Sequence, residues 1–401
     1  MNKAALKLAI IGAGPVGLSL ALHAARTLPR AHVTLFDARP AEFDVLRDPR
    51  TLALSLGSVQ FLQRLNAWDE ASAQPILEVH VSQQPPGGSL FSQGEPELRI
   101  RAIDEAVPML GAVLSYGHVV APLQAAWLAV SAREPQRLHS RFGTPVAALK
   151  RLGNETGAGV EVNFGGAECF DLAVVAEGGV FADQVRKSLT HDYKQTAWVG
   201  QVTLQGGARG VAYERFTRHG PAALLPLQTN GEEPQRAALV WCVPSDDDPV
   251  RDLSETQRLF ALNHIFHPAV GQLTSVSALK HFALGLNAER TLVQGRVVRI
   301  GNAAQTLHPV AGQGLNVGLR DVFELVRSLA VSDDTDRALR RVEWRRAADR
   351  WSMIATTDFL ARSFTWRLPG LGAARGLGLA ALQAFAPGRS ALARHMMFGR
   401  R

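Results

Sequence analysis

Six residues near the start of the chain, Gly12-Ala13-Gly14-Pro15-Val16-Gly17, have the spacing G-x-G-x-x-G, and an aspartate, Asp37, follows Gly17 by 20 residues. The chemistry such a pattern can do is dinucleotide binding: Gly12 permits a tight turn, Gly14 lets the backbone approach a pyrophosphate, and Gly17 lets a helix pack closely on a strand. A helix that starts at this loop, with Pro15 in its first turn, directs free N–H groups and the positive end of its dipole at the phosphates. Asp37 would accept hydrogen bonds from the ribose hydroxyls of an adenosine, and its charge opposes a 2′-phosphate. Three elements must position these groups: an apolar strand over 6–11, a helix to about residue 28, and a second strand over 32–36. The fingerprint does not choose between NAD and FAD.

A second constellation stands far downstream. A strand-like run over 295–300 leads into Gly301-Asn302-Ala303-Ala304-Gln305-Thr306-Leu307-His308-Pro309-Val310-Ala311-Gly312-Gln313-Gly314-Leu315-Asn316, and a helix over 315–329 follows. If the first loop holds the adenosine diphosphate half of a ligand, the second can hold a ribityl and flavin half. Its helix N-terminus would then face the flavin pyrimidine edge, where the dipole stabilises negative charge. His308 has no histidine or carboxylate partner at metal-ligand spacing, so it lines the site rather than binding a metal.

These residues carry a family resemblance. The chain resembles the flavoprotein aromatic hydroxylases of the para-hydroxybenzoate hydroxylase type and, within them, the ubiquinone-biosynthesis monooxygenases. The stretch from His308 to Asp321 matches that subgroup's pattern H-P-x-x-G-Q-G-x-N-x-G-x-x-D. Asp48-Pro49-Arg50 resembles the family's D-x-R segment, and Glu214-Arg215-Phe216-Thr217, Gly220-Pro221 and Leu225-Pro226 resemble its substrate-domain strands. The resemblance implies an α/β fold: a Rossmann-like FAD-binding domain with an inserted antiparallel β-sheet substrate domain and a C-terminal helical tail. It implies FAD as cofactor, held by Gly12, Gly14, Pro15, Gly17, Asp37, Arg50, Gln124, Gly301, Asn302, Pro309, Gly312, Gln313, Gly314, Leu315 and Asn316. NADPH or NADH would visit transiently, dioxygen would add at flavin C4a, and the hydroperoxide would transfer OH to a polyprenylated phenol of the 2-polyprenyl-6-methoxyphenol type. The implied pocket includes His308, Pro309, Tyr213, Leu225 and Pro226.

Two positions depart from the wider superfamily. Asn302 stands where G-D is usual, keeping a hydroxyl acceptor and losing a charge, and Glu177-Gly178 stands where D-G is usual. A phenol hydroxylase benefits from partial deprotonation of its substrate, and Tyr213 and His219 are the candidate catalytic residues. Arg50 can meet a phosphate, Arg186 is as readily a surface residue, and Trp198 and Trp241 fall in strand-like runs. Two other functions remain open: a flavin-dependent reductase of an isoprenoid, and a non-catalytic flavin-fold subunit of a biosynthetic complex.

The interleaved FAD domain is expected over 1–74, 111–187 and 292–358, the substrate domain over 75–110 and 188–291, and the tail over 359–401. Loops are expected at Pro85-Pro86-Gly87-Gly88 and Gly231-Glu232-Glu233-Pro234. The 401 residues carry 43 Lys+Arg against 36 Asp+Glu, a net charge of +7, and are 46% apolar. That composition buries a core and excludes a disordered chain. Two cysteines, Cys169 and Cys242, exclude a disulfide scaffold. No apolar run suits a membrane span. After Asp358 there is no acidic residue, while Arg362, Arg367, Arg375, Arg389, Arg394, Arg400 and Arg401 follow. No nucleic-acid-binding signature accompanies that charge. The expectation is a cytoplasmic protein resting on anionic lipid at the inner face of the membrane, with Leu371, Leu377, Leu379 and Leu382 on the apolar side, or a C-terminal helix packed on the FAD domain or on other ubiquinone-biosynthesis proteins.

Overall fold

The computed structural model describes residues 5–84, 95–152, 159–178, 185–229, 233–309, 312–363 and 371–399. The Pro85–Gly88 loop, Gly231 and Glu232, Val310 and Ala311, and Arg367, Arg400 and Arg401 lie outside them. Eight helices occur among these residues: α1 (Pro15–Thr27), α2 (Leu56–Arg64), α3 (Tyr116–Arg133), α4 (Glu255–Ile265), α5 (Gly314–Val331), α6 (Thr335–Ser363), α7 (Leu371–Ala384) and α8 (Ala386–Phe398).

Leu8, Ala9 and Ile10 are fully buried because their strand, Lys7–Ile11, is covered on both faces. It lies in a six-stranded sheet in the order Val293–Gln294, Val297–Arg299, Leu172–Val175, Lys7–Ile11, His32–Asp37, Leu138–Phe142. Every pairing is parallel except the first, an edge hairpin. On one face α1, α3 and α5 contribute Leu18, Leu20, Val120, Trp127, Leu319 and Val322 to the main core. On the other, a meander of Ala148–Leu152, Gly159–Asn163 and Ala167–Phe170 sets Val160, Val162 and Phe170 against Ala9, Ile11 and Phe36.

A nine-stranded sheet forms the second layer. Its path runs Gln305–Thr306, Lys280–Ala288, Leu189–Gln205, Gln235–Pro244, Pro221–Leu227, Val211–Phe216, Glu78–Gln83, Glu97–Arg101, and Gln272–Val276 joins it on Leu189–Gln205. It is antiparallel in all but one pairing, since Val211–Phe216 runs parallel to Glu78–Gln83. The first strand of the path belongs to the downstream glycine-rich loop, so that loop is fastened directly to the large sheet at Asn287 and Ala288. A small antiparallel sheet of Thr51–Ser55, Gly111–Ser115 and Gln74–Ile76 lies beside both layers.

Side chains alternate across the large sheet, and its two faces are covered differently. Trp198, Tyr213, Leu224 and Trp241 pack with Leu262 of α4 and Phe266 on the outer face. On the inner face, Ala197 and Cys242 meet Ile354 and Ala361 of α6, while Ala212 and Leu225 meet Leu56 of α2 and Leu379, Leu382 and Met397 of α7 and α8. The helix α6 continues unbroken past residue 359. Of the leucines expected to face lipid, Leu379 and Leu382 pack on the protein and Leu377 is exposed, while the Leu371 side chain lies outside what is described.

Candidate active site

The upstream loop is a backbone cradle in which Gly12 and Gly17 admit no side chain. Gly12 has φ +102°, and a Cβ there would lie 3.0 Å from the Glu177 nitrogen. A Cβ on Gly17 would lie 1.8 Å from the Gly12 carbonyl oxygen. With Gly14 as N-cap and Pro15 at the first turn, no side chain caps α1, so its first N–H groups remain available to an anion. Asp37, nearly buried at the end of its strand, accepts from the Ala13 nitrogen at 2.5 Å, and its carboxylate is gripped by the Arg39 side chain at 3.0 Å. Burial by itself would raise its pKa, but the bonds from Arg39 and Ala13 outweigh this and hold the carboxylate below its usual range. Arg50 pairs with Asp48 at 2.7 Å and lies over the Tyr116 ring, 4.2 Å from its centroid. Tyr116, at the start of α3, also reaches within 3.4 Å of where a Cβ on Gly14 would sit. Two arginines thus flank the loop, and Arg39 went unrecognised in the sequence although it stands two residues after the aspartate. Gln124 donates instead to the Ala41 carbonyl at 2.9 Å, and Arg186 is exposed.

The downstream loop meets the upstream one. A Cβ on Gly301 would lie 3.1 Å from a Val16 methyl, and one on Gly318 would lie 3.0 Å from the Gly301 Cα. Lys187 donates to the Asn302 carbonyl at 3.0 Å. Burial lowers the Lys187 pKa to about 8; Glu289 opposes that shift, while Arg299 and Arg350 add to it. Gly312 abuts Ala53, Gln313 is the N-cap of α5 with no side-chain cap bond, and Leu315 packs on the main core. Asn316 behaves differently from the expectation. Its amide oxygen accepts from the Ser55 nitrogen at 2.8 Å and Ser58 Oγ at 2.7 Å, and its amide nitrogen donates to the Ala53 and Gly312 carbonyls at 3.1 Å each. The side chain is committed to the protein, so Asn316 positions the loop rather than offering its amide to a ligand. Pro309 is exposed, whereas His308 is buried against the Tyr193 ring and donates from Nε2 to Gln195 Oε1 at 2.9 Å. Burial lowers the His308 pKa to about 4, so the ring is neutral at neutral pH.

A buried ionic network underlies this loop. Arg346 bridges Asp321 and Asp349 at 2.7 Å to each, Arg320 pairs with Asp349 at 2.9 Å, and Gln305 joins Asp321 to Arg350. Asp321, the last residue of the loop signature, is thus a structural anchor. Its partners in α6 show no sequence signal beyond an arginine-rich helical run.

On the large sheet, three expectations are corrected. Tyr213 lies on the outer face, in the core under α4, and donates from its hydroxyl to the Ala269 carbonyl at 3.1 Å. It is turned away from the face that meets the cofactor layer. His219 sits in the turn that closes the Val211–Phe216/Pro221–Leu227 hairpin, with Nε2 accepting from Arg218 Nε at 2.9 Å. Pro226 pairs with the outer-face residue Ala237, so it does not share the inner face of Leu225. Trp198 and Trp241 are outer-face core residues. The inner face carries what sequence reasoning missed. Glu214, Ala223, Val240 and Val199 are adjacent in register across four strands, and all four are half-buried. Val199 and Val240 pack in the same cluster as Leu307 of the downstream loop. The result is an apolar stripe beginning at the cofactor loop and ending at one carboxyl group.

Two glycine cradles in van der Waals contact, each at an uncapped helix start and one flanked by arginines, fit an FAD. The Gly12–Gly17 loop with Asp37, Arg39 and Arg50 would hold the adenosine diphosphate half, and the loop from Gly301 to Gly314 the ribityl and flavin half. Comparison with known proteins agrees. An FAD binding domain family model matches residues 170–360. Ubiquinone hydroxylase UbiL of Rhodospirillum rubrum is 30% identical over 97% of this chain and 88% of its own length. The 3-demethoxyubiquinol 3-hydroxylase of Escherichia coli is 28% identical over 96% of each chain. Among solved structures, p-nitrophenol 4-monooxygenase PnpA from Pseudomonas putida superposes with a TM-score of 0.70 at 16% identity, covering 100% of both chains. Klebsiella pneumoniae HpxO complexed with FAD and uric acid gives 0.68 at 16% identity, covering 97% of this chain and 96% of its own.

Proposed function

The chain belongs to the FAD-dependent hydroxylases of ubiquinone biosynthesis, a family of flavoprotein monooxygenases, and from that premise we propose that it hydroxylates the ring of a polyprenylated phenol of the 2-polyprenyl-6-methoxyphenol type. The observation that carries this reading is the inner-face stripe of Val199, Val240 and Ala223 beside Leu307, an apolar surface that suits a ring with a hydrocarbon tail. FAD, when bound, supplies the redox chemistry: acceptance of hydride from NADH or NADPH and activation of dioxygen.

The protein's share is orientation, electrostatics and exclusion of water. The start of α5 directs its uncapped N–H groups and dipole toward the end of the site where negative charge develops. Asn316 holds Gly312 to Ala53 and Ser55, which fixes the loop against the small sheet. His308 stays neutral and keeps Gln195 in place behind the stripe. No helix among the described residues is long and apolar enough to cross a membrane. Because a polyprenyl substrate resides in a bilayer, the reading includes peripheral contact with anionic lipid through the basic tail.

The test is anaerobic reduction of the FAD-bound protein by NADPH, with and without a short-chain 2-prenyl-6-methoxyphenol, followed by labelled dioxygen. Substrate-stimulated reduction and one labelled oxygen atom in the product are expected. Reduction without oxygen in any product would overturn the hydroxylase reading in favour of an isoprenoid reductase.

A further inference from the structure

Glu214 ends an inner-face row whose far end, Val199, pairs with the exposed Lys280 on the next strand, and its own strand shows why it is isolated. Its neighbours Tyr213 and Arg215 both turn to the outer face, where Tyr213 donates to the Ala269 carbonyl and Arg215 donates to the Ile265 carbonyl at 2.9 Å and pairs with Glu95. Strand alternation therefore sends Glu214 to the opposite side. There its register neighbours are Ala223 and Val81, and Val240 follows Ala223. Among the described residues it takes part in no hydrogen bond or ion pair, and the titratable group that faces it is the thiol of Cys242, which burial raises and Glu214 raises further. On the adjoining strands, Glu97 and Arg99 pair with each other and His80 pairs with Glu97. Burial pushes the Glu214 carboxyl up to about 8. The half-buried carboxyl lies beside apolar side chains, and a hydroxyl placed on the stripe would give it a hydrogen-bond partner there.

Resting on the hydroxylase reading above, we propose that Glu214 receives the hydroxyl of the phenolic substrate and takes its proton. The phenolic O–H bond breaks, the proton passes to a Glu214 carboxylate oxygen, and the electron pair stays on the ring oxygen. The ring is thereby enriched in electron density for attack on the electrophilic oxygen that dioxygen and the reduced cofactor supply. A C–O bond forms at the ring carbon as the O–O bond breaks, the hydrogen displaced from that carbon moves as a proton to the ring oxygen, and the second oxygen atom leaves as water with the two electrons that came from NADH or NADPH and the proton that Glu214 gives up. The stripe from Ala223 through Val199 holds the ring and the start of the prenyl chain. A base with a pKa near the working pH suits this task, and apolar burial is what places it there.

The experiment compares E214Q, E214D and the wild-type holoprotein with short-chain 2-prenyl-6-methoxyphenol. In the wild type, kcat should rise with pH through about 8, and the bound phenol's full ionisation, followed by its ultraviolet difference spectrum, should shift to higher pH because the Glu214 carboxylate opposes a second negative charge beside it. E214Q should retain its FAD, lose about 100-fold in kcat, lose the limb near pH 8 and bind the phenol without the spectral shift. E214D should recover part of the rate. An E214Q protein with wild-type kcat and pH profile overturns the assignment. A wild type that shifts the phenol's ionisation through Glu214 but incorporates no oxygen would instead sink the hydroxylase reading and leave Glu214's place in the site standing.

Discussion

At the scale of single residues, two side chains one position apart have opposite fates. Tyr213 and Glu214 both lie in a strand whose alternate positions are apolar on each face, so the sequence V-A-Y-E-R-F does not say which face is which. Only the packing of α4 on the Tyr213 side settles it. Replacing Tyr213 by Phe should lower unfolding stability by about 1 kcal/mol through the lost bond to Ala269 and leave kcat unchanged, and a large drop in kcat at unaltered Tm would return Tyr213 to the chemistry. His308 gives a pH dependence of definite sign. The folded protein takes up its proton near 4, the unfolded chain near 6.5, so the unfolded state binds more protons between those values. The stability this group governs is fully present above about pH 6.5 and is lost as the pH falls to 4, on the order of 3 kcal/mol over the interval. His23, also lowered to about 4 by burial and by Arg64 and Arg26, acts in the same direction. Denaturation midpoints measured from pH 7.5 to 5 should therefore fall, and H308Q should flatten the fall; an equal slope in H308Q would refute the account.

At the scale of elements, the parts that carry local rules were legible. The strand–loop–helix–strand from Lys7 to Asp37 and the helix α5 were both readable because glycine spacing and apolar periodicity coincide there. The meander over Ala148–Phe170 was not, because its strands are short, mostly polar on one side and defined by what they cover. The parallel pairing of Glu78–Gln83 with Val211–Phe216 joins segments far apart in the chain, and no local residue announces it. The same holds for the network below α5. Asp321 could be read as part of a motif, but its partners Arg346 and Asp349 come from the next helix and matter only once α6 folds back. Removing one charge from a buried group of this kind leaves its partner uncompensated. D321N should cost about 3 kcal/mol in denaturant unfolding and should weaken FAD retention on dilution, because α5 and the Gly301–Gly314 loop lose their anchor. A stability within 1 kcal/mol of wild type, at the ~0.5 kcal/mol precision of neutral surface substitutions, would show that the network is dispensable.

At the scale of the whole molecule, the tail has two faces with different duties. Inward, Arg99 donates its backbone N–H to Gln383 Oε1 at 2.9 Å, Ser390 donates to Glu105 at 2.7 Å, and Leu379, Leu382, Ala393 and Met397 close the core that holds Leu56, Leu98 and Ile100. Gly399 ends against the Arg320–Asp349 pair, where a Cβ would lie 2.2 Å from Arg320 Nη1, so the end of the described chain returns to the helix that starts at the cofactor loop. Outward, Leu377 and Phe385 are exposed on a segment whose charged residues are all arginines. Cutting the chain after Ser363 would uncover the inner core, and the truncated protein should aggregate or lose FAD rather than behave as a soluble enzyme freed of an appendage. That outcome cannot by itself separate lipid contact from folding, and the outward residues can. The double variant L377D/F385D should keep the wild-type Tm and FAD content, because neither side chain contributes to the buried core, while losing sedimentation with anionic phosphatidylglycerol vesicles at low salt. Wild-type binding should weaken as salt screens the arginines. If the double variant sediments with the vesicles as the wild type does, the tail is a packing element alone and the proposed prenylated substrate would have to be met through another surface.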